Sequence, residues 1–227
     1  MGEIRRMDVI GVVAQKGGVG KTHLTINWAV EAERQGMGTV AVLDLDPQAT
    51  AVSWAQRRLR LLNDNRPFLL KADLDDVGSI NLEQVVEVCK ACRDEGIDIL
   101  FIDTPPSVRQ PVIVTMEVSD YVVIPSGPSL AEMEAIGTTV AIVRNAGVPG
   151  CVVVNRGRPR SPINEDASTA LAGYDLPVCP VVITQRAAIQ DGFRDGQTGR
   201  EYAPRGKAGP EITSSWHWIA KQIRGAQ

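Results

Sequence analysis

The sequence predicts a single α/β domain spanning residues 1–227, with a doubly wound, mostly parallel sheet flanked by helices. Its 227 residues are 44% hydrophobic, enough to bury one sizeable core. Helical segments separate almost every pair of short apolar runs, an alternation typical of right-handed βαβ units. Ligands of such sheets bind at the carboxyl ends of the strands. The predicted strands are 9–14, 39–44, 68–71, 97–103, 121–125, 150–155 and 178–183.

The first predicted strand leads into a glycine-rich loop, Lys16-Gly17-Gly18-Val19-Gly20-Lys21-Thr22. A helical pattern of apolar residues follows the loop and ends near Gly36. Backbone N–H groups and a helix N-terminus both favour negative charge, so this arrangement predicts a phosphate-binding site. Lys21 is expected to reach the β- and γ-phosphates, and the Thr22 hydroxyl is expected to ligate Mg²⁺.

The second lysine of this loop, Lys16, precedes the first glycine, and the loop therefore resembles the deviant Walker A loop of the ParA/MinD family of P-loop ATPases. Residues 44–48 resemble the family's DxDPQ element, and the strand ending at Asp103 resembles its Walker B strand. The likeness continues through residues 152–156, Gly196 and residues 211–212, and so covers nearly the whole chain. Only fifteen residues precede Lys16, so the chain is most similar to small, Soj-like ParA partition proteins without an N-terminal helix-turn-helix domain. Sequence-specific operator binding is not expected.

The resemblance implies ATP and Mg²⁺ as cofactors and an ATP hydrolase activity. It implies that Lys16 reaches the nucleotide of a facing subunit, so that ATP creates a sandwich homodimer. Asp46 is expected to orient the attacking water, and the Mg²⁺ shell is assigned to Thr22, Asp44 and, through a water, Asp103. Exchange of the roles of Asp44 and Asp46 stays open.

The nucleotide contacts implied by the resemblance include one departure from the family. His23 stands where the family usually has a second Thr or Ser, whose hydroxyl and backbone contact the α-phosphate. The backbone N–H of His23 can still donate to the α-phosphate, so nucleotide binding is expected to survive. The predicted catalytic residues are Lys16, Lys21 and Asp46, and the predicted nucleotide-binding residues are Gly17, Gly18, Val19, Gly20, Lys21, Thr22, His23, Asn155 and Arg156.

Charge is distributed unevenly along the chain. The net charge of −3 gives no global attraction to nucleic acid. From Arg156 onward, however, the chain contains ten Lys/Arg and only seven Asp/Glu. The resemblance implies that this C-terminal region binds double-stranded DNA non-specifically. A ParB-like adaptor is expected to stimulate hydrolysis and release, which would position a plasmid, chromosome or protein cargo. A second basic cluster, Arg57, Arg58 and Arg60, could face a regulator. The DNA-binding candidates are Arg186, Arg205, Lys207, Lys221 and Arg224.

The alternative is a MinD-like membrane switch. Trp216, Ile219, Ala220 and Ile223 form a helical stripe that could lie at a membrane, but so narrow a stripe favours packing on a core. Stable membrane association is therefore not expected. Residues 1–6 are polar and basic, and the apolar run behind them is too short for a signal peptide or a membrane span. The protein is expected to be cytoplasmic, and nucleoid-associated when ATP is bound.

The four cysteines are interpreted as core residues. Cys89 and Cys92 have CxxC spacing, but they lie on a predicted amphipathic helix, 82–95, and no second CxxC completes a metal site. Cys151 and Cys179 fall inside predicted strands. A ligase or metal-cluster carrier built on the same loop would need a substrate site or cysteine set that the sequence does not present.

Overall fold

The computed structural model describes residues 6–72, 80–106 and 109–226; residues 1–5 of the predicted basic N-terminal segment lie outside this part. Strands and helices alternate through most of the chain, as predicted. The elements are β1 Asp8–Val12, α1 Lys21–Arg34, β2 Val40–Asp44, α2 Thr50–Leu62, β3 Phe68–Lys71, α3 Leu82–Asp94, β4 Ile99–Asp103, α4 Arg109–Val118, β5 Tyr121–Ser126, α5 Leu130–Ala146, β6 Gly150–Gly157, α6 Ile163–Ala172, β7 Ile183–Thr184, α7 Ala187–Arg194, α8 Gly199–Tyr202 and α9 Ala208–Ala226.

The sheet has the order β3-β2-β4-β1-β5-β6-β7, and all of its strand pairs are parallel. β1 lies in the middle; β2, β3 and β4 lie on one side of it, with β4 inserted between β1 and β2, and β5, β6 and β7 follow in sequence order on the other side. A crevice forms where the strand order reverses, beyond the carboxyl ends of the strands. The loop after β1 opens into this crevice, so the topology places the glycine-rich loop at the predicted ligand-binding edge.

The seventh strand is shorter than predicted. The sequence predicts a strand over 178–183, but β7 contains only Ile183 and Thr184, and Val178 makes a single bridge to Val152. Pro177 and Pro180 flank Val178 and Cys179, and a proline cannot donate a hydrogen bond to a neighbouring strand. Within this segment only Cys179 and Ile183 are buried, and the residues before Ile183 do not form a continuous ladder.

The final helix, α9, packs on the sheet through the stripe described above. Trp216, Ile219, Ala220 and Ile223 are each at most 4% exposed, and the Trp216 ring lies 5.4 Å from that of Phe101 on β4. The stripe belongs to the core and is not available as a membrane-binding face. In the part of the chain that the structure describes, no helix is long and apolar enough to cross a membrane. All four cysteines are buried, as predicted.

A buried carboxylate, Glu31 on α1, joins this helix to the C-terminal elements. Glu31 is 2% exposed and accepts hydrogen bonds from Arg34 at 2.7 and 2.8 Å and from Gln35 at 2.7 Å. Thr213 on α9 donates to it at 2.6 Å, and Arg200 on α8 donates at 3.2 Å. Burial alone would raise the pKa of Glu31, but these donors lower it to about 2.

Candidate nucleotide-binding site

The glycine-rich loop turns sharply between β1 and α1 and uses left-handed backbone conformations to do so. Gly18 has φ +78° and Gly20 has φ +89°, values that residues with a side chain rarely adopt. A Cβ on Gly20 would also lie 2.4 Å from Nδ2 of Asn155. Glycine is therefore required at position 20, because the backbone there is left-handed and because Asn155 of β6 leaves no room for a Cβ.

The end of β6 holds this loop in place. The Asn155 side chain donates to the Val19 carbonyl at 2.7 Å, and the Arg156 guanidinium donates to the Gly18 carbonyl at 2.7 Å. Because a trans peptide directs its N–H opposite to its carbonyl, the N–H groups of Val19 and Gly20 point away from these two side chains. Asn155 and Arg156, expected as nucleotide-binding residues, thus hold the loop through its carbonyl groups.

A cavity of about 300 Å³ opens beside the loop, at the carboxyl ends of β6 and β7. Asn155 and Arg156 reach it as well, together with the first turn of α1 and one side of α7. Among the residues that follow β7, the sequence analysis selected only Arg186, and as a DNA-binding candidate, although any residue after a strand of this sheet stands at the ligand-binding edge. The lining residues are Gly18, Gly20, His23, Leu24, Asn155, Arg156, Thr184, Gln185, Arg186, Ile189 and Gln190.

The two lysines of the loop occupy opposite environments. Lys21 is 6% exposed, and its ammonium donates to the Ala14 carbonyl at 3.2 Å. Burial lowers the pKa of Lys21, while the carboxylates of Asp103 and Asp46 act to raise it. Lys16 is exposed and makes no hydrogen bond or ion pair with the residues that the structure describes. Lys21 is therefore held against the backbone beside its own loop, whereas Lys16 projects from the loop into solvent.

Asp103, at the end of β4, is a buried acid facing this loop. Neither of its carboxylate oxygens has a hydrogen-bond partner of good geometry among the described residues. Burial raises the pKa of Asp103 to about 7; the Thr22 hydroxyl and the Lys21 ammonium lower it, whereas Asp44 raises it. A buried carboxylate without donors is costly unless a cation or its bound water compensates it. Asp103 and Thr22 therefore fit the shell of a Mg²⁺ ion.

Asp44 and Asp46 differ in how far their oxygens are already occupied. Asp44 is 1% exposed and accepts backbone N–H groups from Asp46 at 2.9 Å, Ala51 at 3.0 Å and Val52 at 3.3 Å. Burial raises the pKa of Asp44, and these N–H groups lower it. Asp46 is only half-buried and accepts one N–H, from Gln48 at 2.9 Å. Asp44 therefore caps the N-terminus of α2, while Asp46 keeps an oxygen free of partners in the described part of the chain.

A family profile described as the CobQ/CobB/MinD/ParA nucleotide binding domain matches residues 10–198. The chain belongs to the ParA/MinD family of P-loop ATPases. Maintenance of carboxysome distribution protein A from Halothiobacillus neapolitanus is 23% identical over 205 residues, which are 88% of this chain and 89% of that protein. The chromosome-partitioning ATPase Soj from Thermus thermophilus is 32% identical over 149 residues, 58% of this chain and 59% of Soj.

Solved structures agree with the family assignment at the level of the fold. The septum site-determining protein MinD from Pyrococcus horikoshii, complexed with Mg-ADP, has a TM-score of 0.75 and 18% identity, and the match covers 98% of this chain and 99% of that one. The predicted doubly wound fold is thereby confirmed. As a ParA/MinD family ATPase, the protein binds ATP and hydrolyses it.

His23, the departure from the family pattern, packs against α7 of this ATPase. Its ring centroid lies 4.3 Å from that of Phe193, and burial lowers the pKa of the imidazole. Phe193 in turn lies under the guanidinium of Arg57 on α2 and 6.4 Å from the Trp54 ring. The sequence carried no local signal for Phe193, because its partners come from two distant helices.

The five DNA-binding candidates of this ATPase do not form one surface. Arg205 and Lys207 are exposed just before α9, and Arg186 lines the nucleotide cavity and pairs with Glu211. Arg224 lies beside Asp8 and Ile99, where β1 and β4 begin, and Lys221 is one turn away. The 19 residues of α9 separate its two ends by about 28 Å.

The prediction that the second basic cluster could face a regulator was wrong for one of its three residues, Arg58. Arg58 is 5% exposed, and its guanidinium contacts Glu201 at 2.8 Å and Asp64 at 2.6 Å. Its guanidinium also lies 5.1 Å from the Trp54 ring. Arg58 therefore ties α2 to α8 and is not presented to a regulator; Arg60 is exposed.

Proposed function

We propose that this ATPase is a ParA-type partition protein. ATP and Mg²⁺ drive formation of a sandwich homodimer, the dimer binds double-stranded DNA non-specifically, and a ParB-like adaptor stimulates the hydrolysis that releases it. Repeated cycles segregate or position a plasmid, a chromosome or another cargo. The names of two relatives, a carboxysome distribution protein and a chromosome-partitioning ATPase, support a positioning role of this kind.

The observation that carries the proposal is the contrast between Lys16 and Lys21. The buried ammonium of Lys21 already supplies a cation next to Asp103 and Asp46. Lys16 belongs to the same loop but is exposed, without a partner in the described parts of the chain. A second cation that projects from a phosphate-binding loop is placed to reach phosphates held by another subunit, which makes dimerisation depend on intact ATP.

The proposed roles in hydrolysis follow from burial and free oxygens. Thr22 and Asp103 would hold Mg²⁺, which neutralises charge on the β- and γ-phosphates. Asp46, with one oxygen unoccupied, orients the attacking water. Asp44, which the sequence analysis placed in the Mg²⁺ shell, is proposed instead to fix the start of α2, because its oxygens already accept three backbone N–H groups. Turnover by the protein alone is expected to be slow until the adaptor completes the site.

The proposal does not include a membrane switch. A peripheral helix needs an exposed apolar face to insert between lipids, and the stripe of α9 is buried against the sheet. The exposed cations Arg205 and Lys207 stand at the end of α9 nearer the nucleotide cavity. These positions favour a polar, ATP-linked partner such as DNA.

Sedimentation velocity with ATP and Mg²⁺ tests the dimer. Asp46→Ala is expected to accumulate as an ATP-bound dimer, whereas Lys16→Gln should bind a fluorescent ATP analogue but remain monomeric. Lys21→Gln is the matched control, because the same change at the buried lysine should abolish nucleotide binding itself. An ATP-dependent dimer of Lys16→Gln would refute the proposal.

Partner binding is tested with the Asp46→Ala protein, using random-sequence duplex DNA and anionic liposomes in parallel. ATP-dependent DNA binding that weakens with salt supports the partition function. Binding to liposomes but not to DNA would refute the partition function and would favour a MinD-like membrane switch.

A further inference from the structure

We infer that Arg158 and Arg160, in the loop between β6 and α6, contact the phosphate backbone of DNA. This inference rests on the proposed function and assigns its DNA-binding surface. The surface consists of Arg158, Arg160, Arg205 and Lys207, and is called the basic edge below. It adds two residues that the sequence analysis did not select and leaves out Arg186, Lys221 and Arg224.

The loop that carries the two arginines has a fixed backbone. The Asn164 side chain accepts from the Arg158 N–H at 3.0 Å and donates to the Arg158 carbonyl at 2.7 Å, so one amide clamps both sides of this residue. The next arginine, Arg160, holds a left-handed φ of +55°, and such conformations in non-glycine residues are concentrated at functional sites.

The side chains on this backbone are free to meet a ligand. Arg158 and Arg160 are exposed, and neither makes a side-chain hydrogen bond or ion pair within the described ranges. Glu165 and Asp166 follow in the first turn of α6, where negative charge stabilises the helix N-terminus. Within the part of the chain that the structure describes, no direct contact compensates the two guanidinium groups, in contrast to Arg58 and Arg186, which are paired with carboxylates.

A short series of contacts connects this loop to the start of α9. Gly157, next to Arg158, accepts a hydrogen bond from the Gln185 N–H at 2.9 Å. The neighbouring Thr184 donates through its N–H and its hydroxyl to Glu211, at 3.0 Å each. Glu211 stands in the first turn of α9, and α9 begins directly after Lys207. The four residues of the basic edge therefore lie along the same carboxyl edge of the sheet as the nucleotide cavity.

The chemistry of the loop favours phosphate over an apolar partner. Residues 158–162 read Arg-Pro-Arg-Ser-Pro and contain no large apolar side chain, whereas peptide and membrane surfaces rely on aromatic or aliphatic anchors. A guanidinium can bind a phosphate through two parallel hydrogen bonds. In duplex DNA the phosphates recur every ~3.4 Å along each strand, so a fixed loop with two exposed arginines can meet them at any sequence.

The test compares two charge reversals of equal size. Arg158→Glu with Arg160→Glu alters the basic edge, and Arg93→Glu with Arg144→Glu is the control, since both control residues lie in the last turns of α3 and α5, near the opposite edge of the sheet. Binding of a labelled random duplex is measured by fluorescence anisotropy with ATP and Mg²⁺ over a range of salt concentrations. Sedimentation and binding of a fluorescent ATP analogue check that each variant still dimerises and binds nucleotide.

The basic-edge variant is expected to bind DNA at least about ten-fold more weakly than the control at low salt. If each arginine of the dimer contacts one phosphate, the slope of log affinity against log salt becomes shallower by about 3 to 4. Lys221→Glu with Arg224→Glu should behave like the control. Asn164→Ala, which keeps both arginines but removes their clamp, should weaken DNA binding by a smaller factor.

Failure of this inference can be distinguished from failure of the proposed function. If the basic-edge variant retains the affinity and salt slope of the control while the wild-type protein binds DNA with ATP, the inference is overturned and the proposed function stands. If the wild-type protein does not bind duplex DNA in its ATP form, both fall. Should the charge reversal prevent folding, Arg158→Gln with Arg160→Gln provides the same comparison at half the charge change.

Discussion

Lowering the pH should remove the stability that Glu31 contributes by joining α1 to α8 and α9. Its pKa falls from an ordinary value of 4.5 to about 2 in the folded protein. A group whose pKa is depressed by folding stabilises the protein above its unfolded pKa, and this contribution is lost as the pH falls towards the folded pKa. Glu31 therefore contributes fully near neutral pH and progressively less between pH 4.5 and pH 2.

The magnitude follows from the pKa difference. At about 1.4 kcal/mol per pKa unit, Glu31 contributes about 3 kcal/mol to the free energy of unfolding at pH 7 and about 1 kcal/mol at pH 3. The side chain is 2% exposed, so solvent screens the interaction little. Glu31→Gln should lower the free energy of unfolding by about 3 kcal/mol at pH 7, and the gap between wild type and variant should narrow as the pH falls.

Urea unfolding at pH 7, 5, 4 and 3 measures this gap. Glu134→Gln, a change at an exposed carboxylate on α5, is the control and should shift the free energy of unfolding by less than about 0.5 kcal/mol at each pH. A difference between wild type and Glu31→Gln that stays constant from pH 7 to pH 3 would show that the loss comes from packing and not from the ionised carboxylate, and the electrostatic reasoning would be wrong.

Three other changes have defined outcomes. Gly20→Ala should abolish binding of a fluorescent ATP analogue, because the new Cβ meets Asn155 at 2.4 Å; retained affinity would contradict the need for glycine there. Asp44→Ala should lower the free energy of unfolding in urea by about 1–2 kcal/mol through loss of the α2 cap, and an unchanged midpoint would remove Asp44 from that role. The four buried cysteines should not react with a thiol reagent in the native protein but should all react in urea; burial raises the pKa of Cys89 to about 11, and rapid native labelling would contradict this burial.

Local patterns predicted much of the fold and the centre of the site. The third strand, 68–71, agrees residue for residue with β3, because a short apolar run between polar segments has few alternative structures. Lys21 and Asp103 come together because the loop after β1 leads to Lys21 and β4 ends at Asp103, and parallel strands end at one edge of the sheet. The sequence was therefore sufficient to predict those features that depend only on the order of the elements along the chain and on the direction of the strands.

The parts that the sequence could not predict depend on contacts between distant segments. Arg58 looks like a surface cation until Glu201, 143 residues later, is seen to pair with it. Asn155 contacts the Val19 backbone, and no pattern around either residue indicates that pairing. The DNA-binding candidates were chosen from the local excess of Lys and Arg after residue 156 and from the family resemblance, and neither records that α9 carries two of them to the far edge of the sheet.

The attachment of the loop to the end of β6 has a consequence for the energetics of ATP binding. Ordering one flexible backbone residue costs about 1–2 kcal/mol of conformational entropy, and a loose glycine-rich loop would incur that cost each time a nucleotide bound. Here Asn155 and Arg156 fasten the carbonyls of Val19 and Gly18, so the loop is ordered when the sheet folds. ATP and ADP then meet a preformed cradle of N–H groups. We therefore expect groups near the γ-phosphate to discriminate between the two nucleotides, and we expect the exchange of one for the other to proceed without refolding of the loop.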